Sequence, residues 1–321
     1  MADAKDNQIV VDENGIPRDD SYLVQPVFEK YRKDYPYITI VPQEAPAGVQ
    51  ADENIVFSRY GKRELKLDVY QRQEGPKSEF VGKRPGVLMV FGGGWTSGRR
   101  VNMKAMAIRL GQMGYVTVTC DYRLSPEAPY PAAVYDLKAA LRWMRANAEK
   151  YNIDAKRIGA VGESAGGHLA CMLAVTAGWK KLEGAGGNPG YETSIQAAVN
   201  LDGPVDFTQR QTTQASRADM KSRWLGGTYA ERPELWKEAS PSHFVDANTP
   251  PTLFVNSQRN HTWIGREEWL EKSKKLGISA EMYVIPNTPH AYWHFEPWFT
   301  QMMVYVGPFL ERELYSRVNP S

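Results

Sequence analysis

Three observations predict an α/β chain with a mostly parallel central sheet and helices on both faces. Short apolar runs alternate with segments of helical period from residue 85 onward, the pattern of repeated strand and helix units. Pro85-Gly86-Val87-Leu88-Met89-Val90-Phe91 is a continuous apolar run, as expected of a central strand buried on both faces. Ser164 stands in Gly162-Glu163-Ser164-Ala165-Gly166, between one such run and a helical stretch. The 321 residues are 42% hydrophobic, enough for a sizeable core, and a single domain over 51–321 is expected behind an arm over 1–50.

Residues 1–50 are polar and punctuated by prolines, with an aromatic knot at Tyr31, Tyr35 and Tyr37, and read as an irregular arm lying over the core. Ile55–Tyr60 and Leu65–Tyr70 alternate around Gly61-Lys62, which predicts an antiparallel pair. After the Pro85–Phe91 strand, Met103, Met106, Ala107 and Leu110 recur at helical spacing, and glycines lead into a strand at Tyr115–Cys120. A long helix follows over about 132–151, then the Ser164 strand and helix. Strands are expected at about 195–201, 251–255 and 281–285, a helix at about 267–276, and a final helix with Phe299, Met302, Met303 and Val306 on one face. Residues 179–194 and 207–250 interrupt the alternation and are expected to form lid elements over the strand ends.

The 39 Lys and Arg against 37 Asp and Glu leave a net charge of +2 with no long like-charge block, so no nucleic-acid partner is expected. No apolar run approaches membrane-spanning length and Met1–Asp6 has no apolar signal core, which predicts a soluble chain without a membrane partner. Cys120 and Cys171 fall in apolar runs and read as buried free thiols.

Gly-x-Ser-x-Gly between strand and helix is the nucleophile elbow of an α/β-hydrolase fold. The turn holds Ser164 in a strained conformation, so Gly162 and Gly166 must lack Cβ atoms where strand and helix approach. A serine hydroxyl is a poor nucleophile without a general base. His290, in the loop after the last predicted strand, lies where this fold carries that base. His168, on the elbow helix, and His294 read as packing or substrate contact; His243 and His261 sit in loops. Phe91-Gly92-Gly93-Gly94-Trp95 follows the central strand, and the amides of Gly93, Gly94 and Ala165 are the expected oxyanion hole.

Phe91–Trp95, Asp121-Tyr122-Arg123-Leu124-Ser125-Pro126-Glu127 and the elbow resemble the hormone-sensitive-lipase-like branch of α/β-hydrolases. The resemblance covers about residues 55–315. Trp224-Leu225-Gly226-Gly227, Pro233–Ser240 and Thr288-Pro289-His290 with the following Trp293, Phe295, Pro297, Trp298 and Phe299 are similar to bacterial carbohydrate esterases that deacetylate xylan or pectin. That implies an acetylated plant polysaccharide as substrate, and a periplasmic or secreted location where a secretion signal has been trimmed, otherwise a cytoplasmic one.

Two departures stand out. The branch usually has histidine where this chain has Phe91, so packing must replace that side chain's hydrogen bond. Many relatives also carry the acid in a His-Gly-x-x-Asp pattern, whereas this chain reads Asn256-Ser257-Gln258-Arg259-Asn260-His261. With no carboxylate there, Asp202 in Asn200-Leu201-Asp202-Gly203-Pro204 is the preferred acid, at the carboxyl end of a strand where such sites are built. Its alternatives are a local turn role, Glu267 or Glu268 as acid, or a Ser164–His290 dyad. Trp95, Trp263, Tyr292 and Trp293 are expected to contact sugar faces. No ligand-spaced Cys/His cluster, phosphate loop or dinucleotide fingerprint is present, so no metal and no cofactor is expected. Rival readings are a feruloyl or general short-chain esterase, a peptidase, or a carbohydrate-binding pseudo-hydrolase.

Overall fold

The alternating segments fold into one mixed sheet in a computed structural model that describes residues 11, 16, 19–73, 82–216, 219–258 and 263–315. Before the sheet come helix α1 (Val24–Tyr31) and a short β1 (Thr39–Ile40). The strands are β2 (Val49–Tyr60), β3 (Arg63–Arg72), β4 (Arg84–Val90), β5 (Val116–Cys120), β6 (Ile153–Glu163), β7 (Ala197–Leu201), β8 (Thr252–Ser257) and β9 (Ala280–Ile285). Their order is β2-β3-β5-β4-β6-β7-β8-β9. The pairs β2–β3 and β3–β5 are antiparallel and the remaining pairs parallel, so the predicted mostly parallel α/β class holds. Every residue of β4, β5, β7 and β8 is buried, which is why these strands read as largely apolar or small-residue runs.

The helices packed around the sheet include α2 (Lys104–Gln112), α3 (Ala132–Ala146), α4 (Ala165–Val175), α9 (Arg266–Leu276) and α10 (Trp298–Leu310). Helix α4 is buried along its whole length, sitting between the sheet and its neighbours as an all-round apolar helix must. Cys120 and Cys171 are buried and unbridged, and burial raises both thiols, that of Cys171 to about 12.

Two expectations need correction. The arm is not irregular: α1 buries Val24, Val27 and Tyr31 on one face, and β1 pairs with β10 (Phe295–Glu296). The segment 179–194, with α5 (Lys180–Glu183), runs from the end of α4 to the start of β7, which puts it at the edge of the sheet opposite Ser164 and not over the carboxyl ends of the strands. Lys138 pairs with Glu183 at 2.8 Å and Arg145 donates to Ser194 O at 2.7 Å, pinning it to α3. The segment 207–250 does leave from the Ser164 edge, carrying α6 (Arg210–Thr213), α7 (Met220–Leu225) and α8 (Pro233–Glu238).

Candidate active site

Strand order explains how distant residues meet. Strands β4, β6, β7, β8 and β9 run parallel side by side, so the loops at their carboxyl ends share one edge. Ser164 directly follows β6, Asp202 directly follows β7 and His290 lies in the loop after β9. Backbone bonds extend the registers into the turns: Ser164 N donates to Leu201 O at 2.7 Å and Asp202 N to Val255 O at 3.2 Å.

Ser164 adopts φ 51° and ψ −120°, a conformation that costs a non-glycine residue on the order of 1–3 kcal/mol and persists only where its surroundings impose it. Those surroundings have no spare volume. A Cβ at Gly162 would come within 2.0 Å of Gly166 O, one at Gly166 within 2.1 Å of Val90 O, and one at Gly203 within 2.4 Å of both Ser164 O and His168 N.

His290 Nε2 lies 2.8 Å from Ser164 Oγ, and His290 Nδ1 lies 3.0 Å from Asp202 Oδ2. The buried Asp202 also accepts Ser257 N at 3.0 Å on Oδ1 and Ser257 Oγ at 2.6 Å on Oδ2. Burial alone would raise its carboxyl, but the His290 hydrogen bond and charge, the nearby Arg266 and the Ser257 hydroxyl outweigh burial and hold it below the usual carboxylate range. An ionised Asp202 fixes the proton on Nδ1 and leaves Nε2 facing the serine hydroxyl. Arg266 is fully buried, donates to Gly203 O at 3.0 Å and has its pKa lowered by burial to about 10.

The glycine turn after β4 sits against the elbow, where a Cβ on Gly92 would be 2.9 Å from Ser164 Cβ. Gly93, Gly94 and Trp95 all have positive φ, at 112°, 62° and 59°. The Gly93 carbonyl accepts the amides of Thr96 at 3.1 Å and Ser97 at 3.0 Å. Peptide planarity turns the Gly94 N–H the opposite way. Among the described residues none accepts a hydrogen bond from the amides of Gly93, Gly94 or Ala165, and Ala165 begins α4, where the helix dipole adds positive potential. Phe91, in place of the usual histidine, stacks on Tyr122 at 4.2 Å, and the Tyr122 hydroxyl donates to Phe91 O at 2.9 Å. The loop is therefore held by a hydrogen bond as well as by packing.

The alternative acids are elsewhere. Glu267 and Glu268 occupy the first turn of α9, Glu267 exposed and Glu268 paired with Lys272 at 2.7 Å, while Asp202 takes the place beside His290. Asn260 and His261 lie outside the described residues. Three aromatics expected to contact substrate are core instead: Trp95, Tyr292 and Trp293 are 4%, 0% and 1% exposed. Trp95 stacks on Trp224 at 4.8 Å, the Tyr292 hydroxyl donates to Val255 O at 2.9 Å, and the Trp293 ring stands edge-on to His290 at 5.1 Å. Trp263 is half-buried, with its indole N–H on Ser257 O at 3.1 Å.

His168 is packing: its Nε2 donates to Ala239 O at 2.7 Å and its ring stacks on Phe207. Asp206, His243 and Glu268 bring ligand-type atoms within 4.8 Å of one another, but Asp206 is hydrogen-bonded to Thr208 and Glu268 paired with Lys272, so the group forms its own polar cluster. Sequence reasoning missed Gly203, Ser257 and Arg266. Only Gly203, directly after the acid, carried a signal; the other two reach Asp202 by folding alone.

The fold and this arrangement define an α/β hydrolase. Residues 67–268 match the BD-FAE family, and the chain belongs to it. Over 197 residues it is 34% identical to Esterase LipC of Mycobacterium tuberculosis, a stretch covering 60% of this chain and 48% of that one. It is 29% identical over 254 residues to the probable carboxylic ester hydrolase LipM of the same organism, covering 75% and 56%. The chain thus spans about half the length of these curated relatives. Among solved structures, a truncated carbohydrate esterase from gut microbiota superposes with TM-score 0.69 at 25% identity, over 85% of this chain and 99% of that one. A bifunctional GH43-CE protein of Bacteroides eggerthii gives TM-score 0.69 at 26% identity, over 82% and 38%.

Proposed function

We propose that the protein is a serine carboxylic-ester hydrolase that removes acetyl groups from a plant cell-wall polysaccharide, xylan or pectin. The observation that carries this reading is the unbroken line from Ser164 Oγ through His290 to a buried, ionised Asp202. Esterase relatives and carbohydrate-esterase neighbours support it.

His290 Nε2 takes the Ser164 proton as Oγ attacks the ester carbonyl carbon. The amides of Gly93, Gly94 and Ala165 receive the charge on the carbonyl oxygen, where preorganised donors need no rearrangement. His290 returns its proton to the departing sugar oxygen, the C–O bond breaks, and an acetyl ester remains on Ser164. Water, deprotonated by His290, then attacks that ester and releases acetate. Trp263 is the remaining candidate platform for a sugar face.

Acetate release from acetylated xylan and acetylated pectin, compared between wild type and Ser164→Ala, tests the reading. Release by wild type alone is expected. Equal release by both refutes the mechanism, and hydrolysis of simple aryl esters without polymer deacetylation favours a general short-chain esterase.

A further inference from the structure

The arm places a polar group at the nucleophile that the mechanism above does not use. Tyr22 precedes α1, and a Cβ on Gly92 would be 2.8 Å from Tyr22 Oη and 2.9 Å from Ser164 Cβ, so the phenol and the serine side chain face the same point of the oxyanion loop. The Tyr22 hydroxyl is buried and has no hydrogen-bond partner among the described residues. Ser164 is nevertheless near enough to act on it as a hydrogen-bonding neighbour. Burial first, then the charges of Glu163, Tyr31 and Tyr122, raise the phenol well above its usual range, so it keeps its proton and serves as a donor.

The arm is fixed to hold it there. Asn102 Nδ2 donates to Tyr22 O at 2.7 Å, Arg99 pairs with Asp20, and the Tyr22 ring meets His294 edge-on at 6.3 Å. Arg99 and Asn102 both lie in the segment that continues from the glycine turn, so the arm and the oxyanion loop are tied to each other. Among the described residues this buried hydroxyl has no partner, and a buried polar group calls for one.

We propose that Tyr22 is a further catalytic residue, its hydroxyl donating a hydrogen bond to the negatively charged tetrahedral centre that forms on Ser164. The tyrosine keeps its own proton throughout, and the proposal rests on Ser164 acting as the nucleophile.

The test compares wild type and Tyr22→Phe in p-nitrophenyl acetate turnover, in binding of methylboronic acid as a tetrahedral adduct of the serine, and in thermal unfolding. Loss of one donor to the tetrahedral centre is expected to lower kcat about ten- to hundredfold with KM within about twofold. Boronate affinity falls in parallel, and the unfolding temperature is unchanged or higher because an unpaired buried hydroxyl has been removed. A kcat and boronate affinity within about twofold of wild type, or a lower kcat with unchanged boronate affinity, overturns the role. A wild type that forms the boronate adduct but turns over no ester defeats the esterase reading instead, leaving the boronate comparison to judge Tyr22. No adduct on wild-type Ser164 overturns both.

Discussion

Asp202 is buried, holds a left-handed backbone at φ 57° and still carries its charge, because His290 and Ser257 give it hydrogen bonds and Arg266 adds positive charge nearby. An asparagine there would keep the shape and lose the charge that orients and stabilises an imidazolium. Asp202→Asn is expected to lower kcat by about 10⁴ with KM within about twofold, as measured by aryl acetate hydrolysis. Glu267→Gln and Glu268→Gln should leave kcat near wild type. A reversed ranking would move the acid to α9.

At the scale of elements, the elbow, the glycine turn and the acid turn are pressed together with no room for a methyl group. Gly203→Ala forces its Cβ toward two backbone atoms at 2.4 Å and should destabilise the fold by about 1–3 kcal/mol or more while displacing Ser164 or Asp202. Denaturant unfolding and kcat should therefore fall together. Helix α7 holds the other side: Trp224→Ala removes the stack beneath the positive-φ Trp95 and is expected to cost about 3–5 kcal/mol, measured by chemical denaturation. The parallel strands and the elbow were legible in the sequence because fully buried strands and a glycine-bracketed serine leave a local pattern. Helix α1 was not, since Pro26 lies inside a segment whose apolar stripe is only Val24, Val27 and Tyr31. Nor was the burial of Trp95, Tyr292 and Trp293: whether an aromatic beside a site faces substrate or core depends on partners such as Trp224, far away in the chain. Asp202 was legible as a strand-end carboxylate, but its preference over Glu267 and Glu268 became clear only from which carboxylate approaches His290.

Across the whole molecule, buried titratable groups link stability to pH in opposite directions. Burial lowers His168 to about 4 and, aided by the charge of His290, His294 to about 3, from an ordinary 6.5. Below pH 6.5 the unfolded chain binds protons that the folded chain refuses, so stability falls as pH drops toward 4, by about 3 kcal/mol per histidine at that limit. Glu163 is also buried, with Oε1 accepting Gly92 N at 3.2 Å and Oε2 lying 3.5 Å from His294 Nε2. Burial raises its carboxyl well above the ordinary 4.5, so its contribution is complete below pH 4.5 and is lost as pH rises. Glu163→Gln should therefore unfold at a higher temperature than wild type at pH 8, with the gap closing toward pH 4.5; a gap that widens on acidification would show that Glu163 is ionised. Hydrolysis through an acyl-enzyme puts an acetyl group on Ser164 during turnover. When the protein is quenched during aryl acetate turnover and mapped by peptide mass spectrometry, one acetyl group is expected on the peptide containing Ser164 and none in Ser164→Ala; turnover with that peptide unmodified, or an acetyl group on another residue, would rule the acyl-enzyme route out.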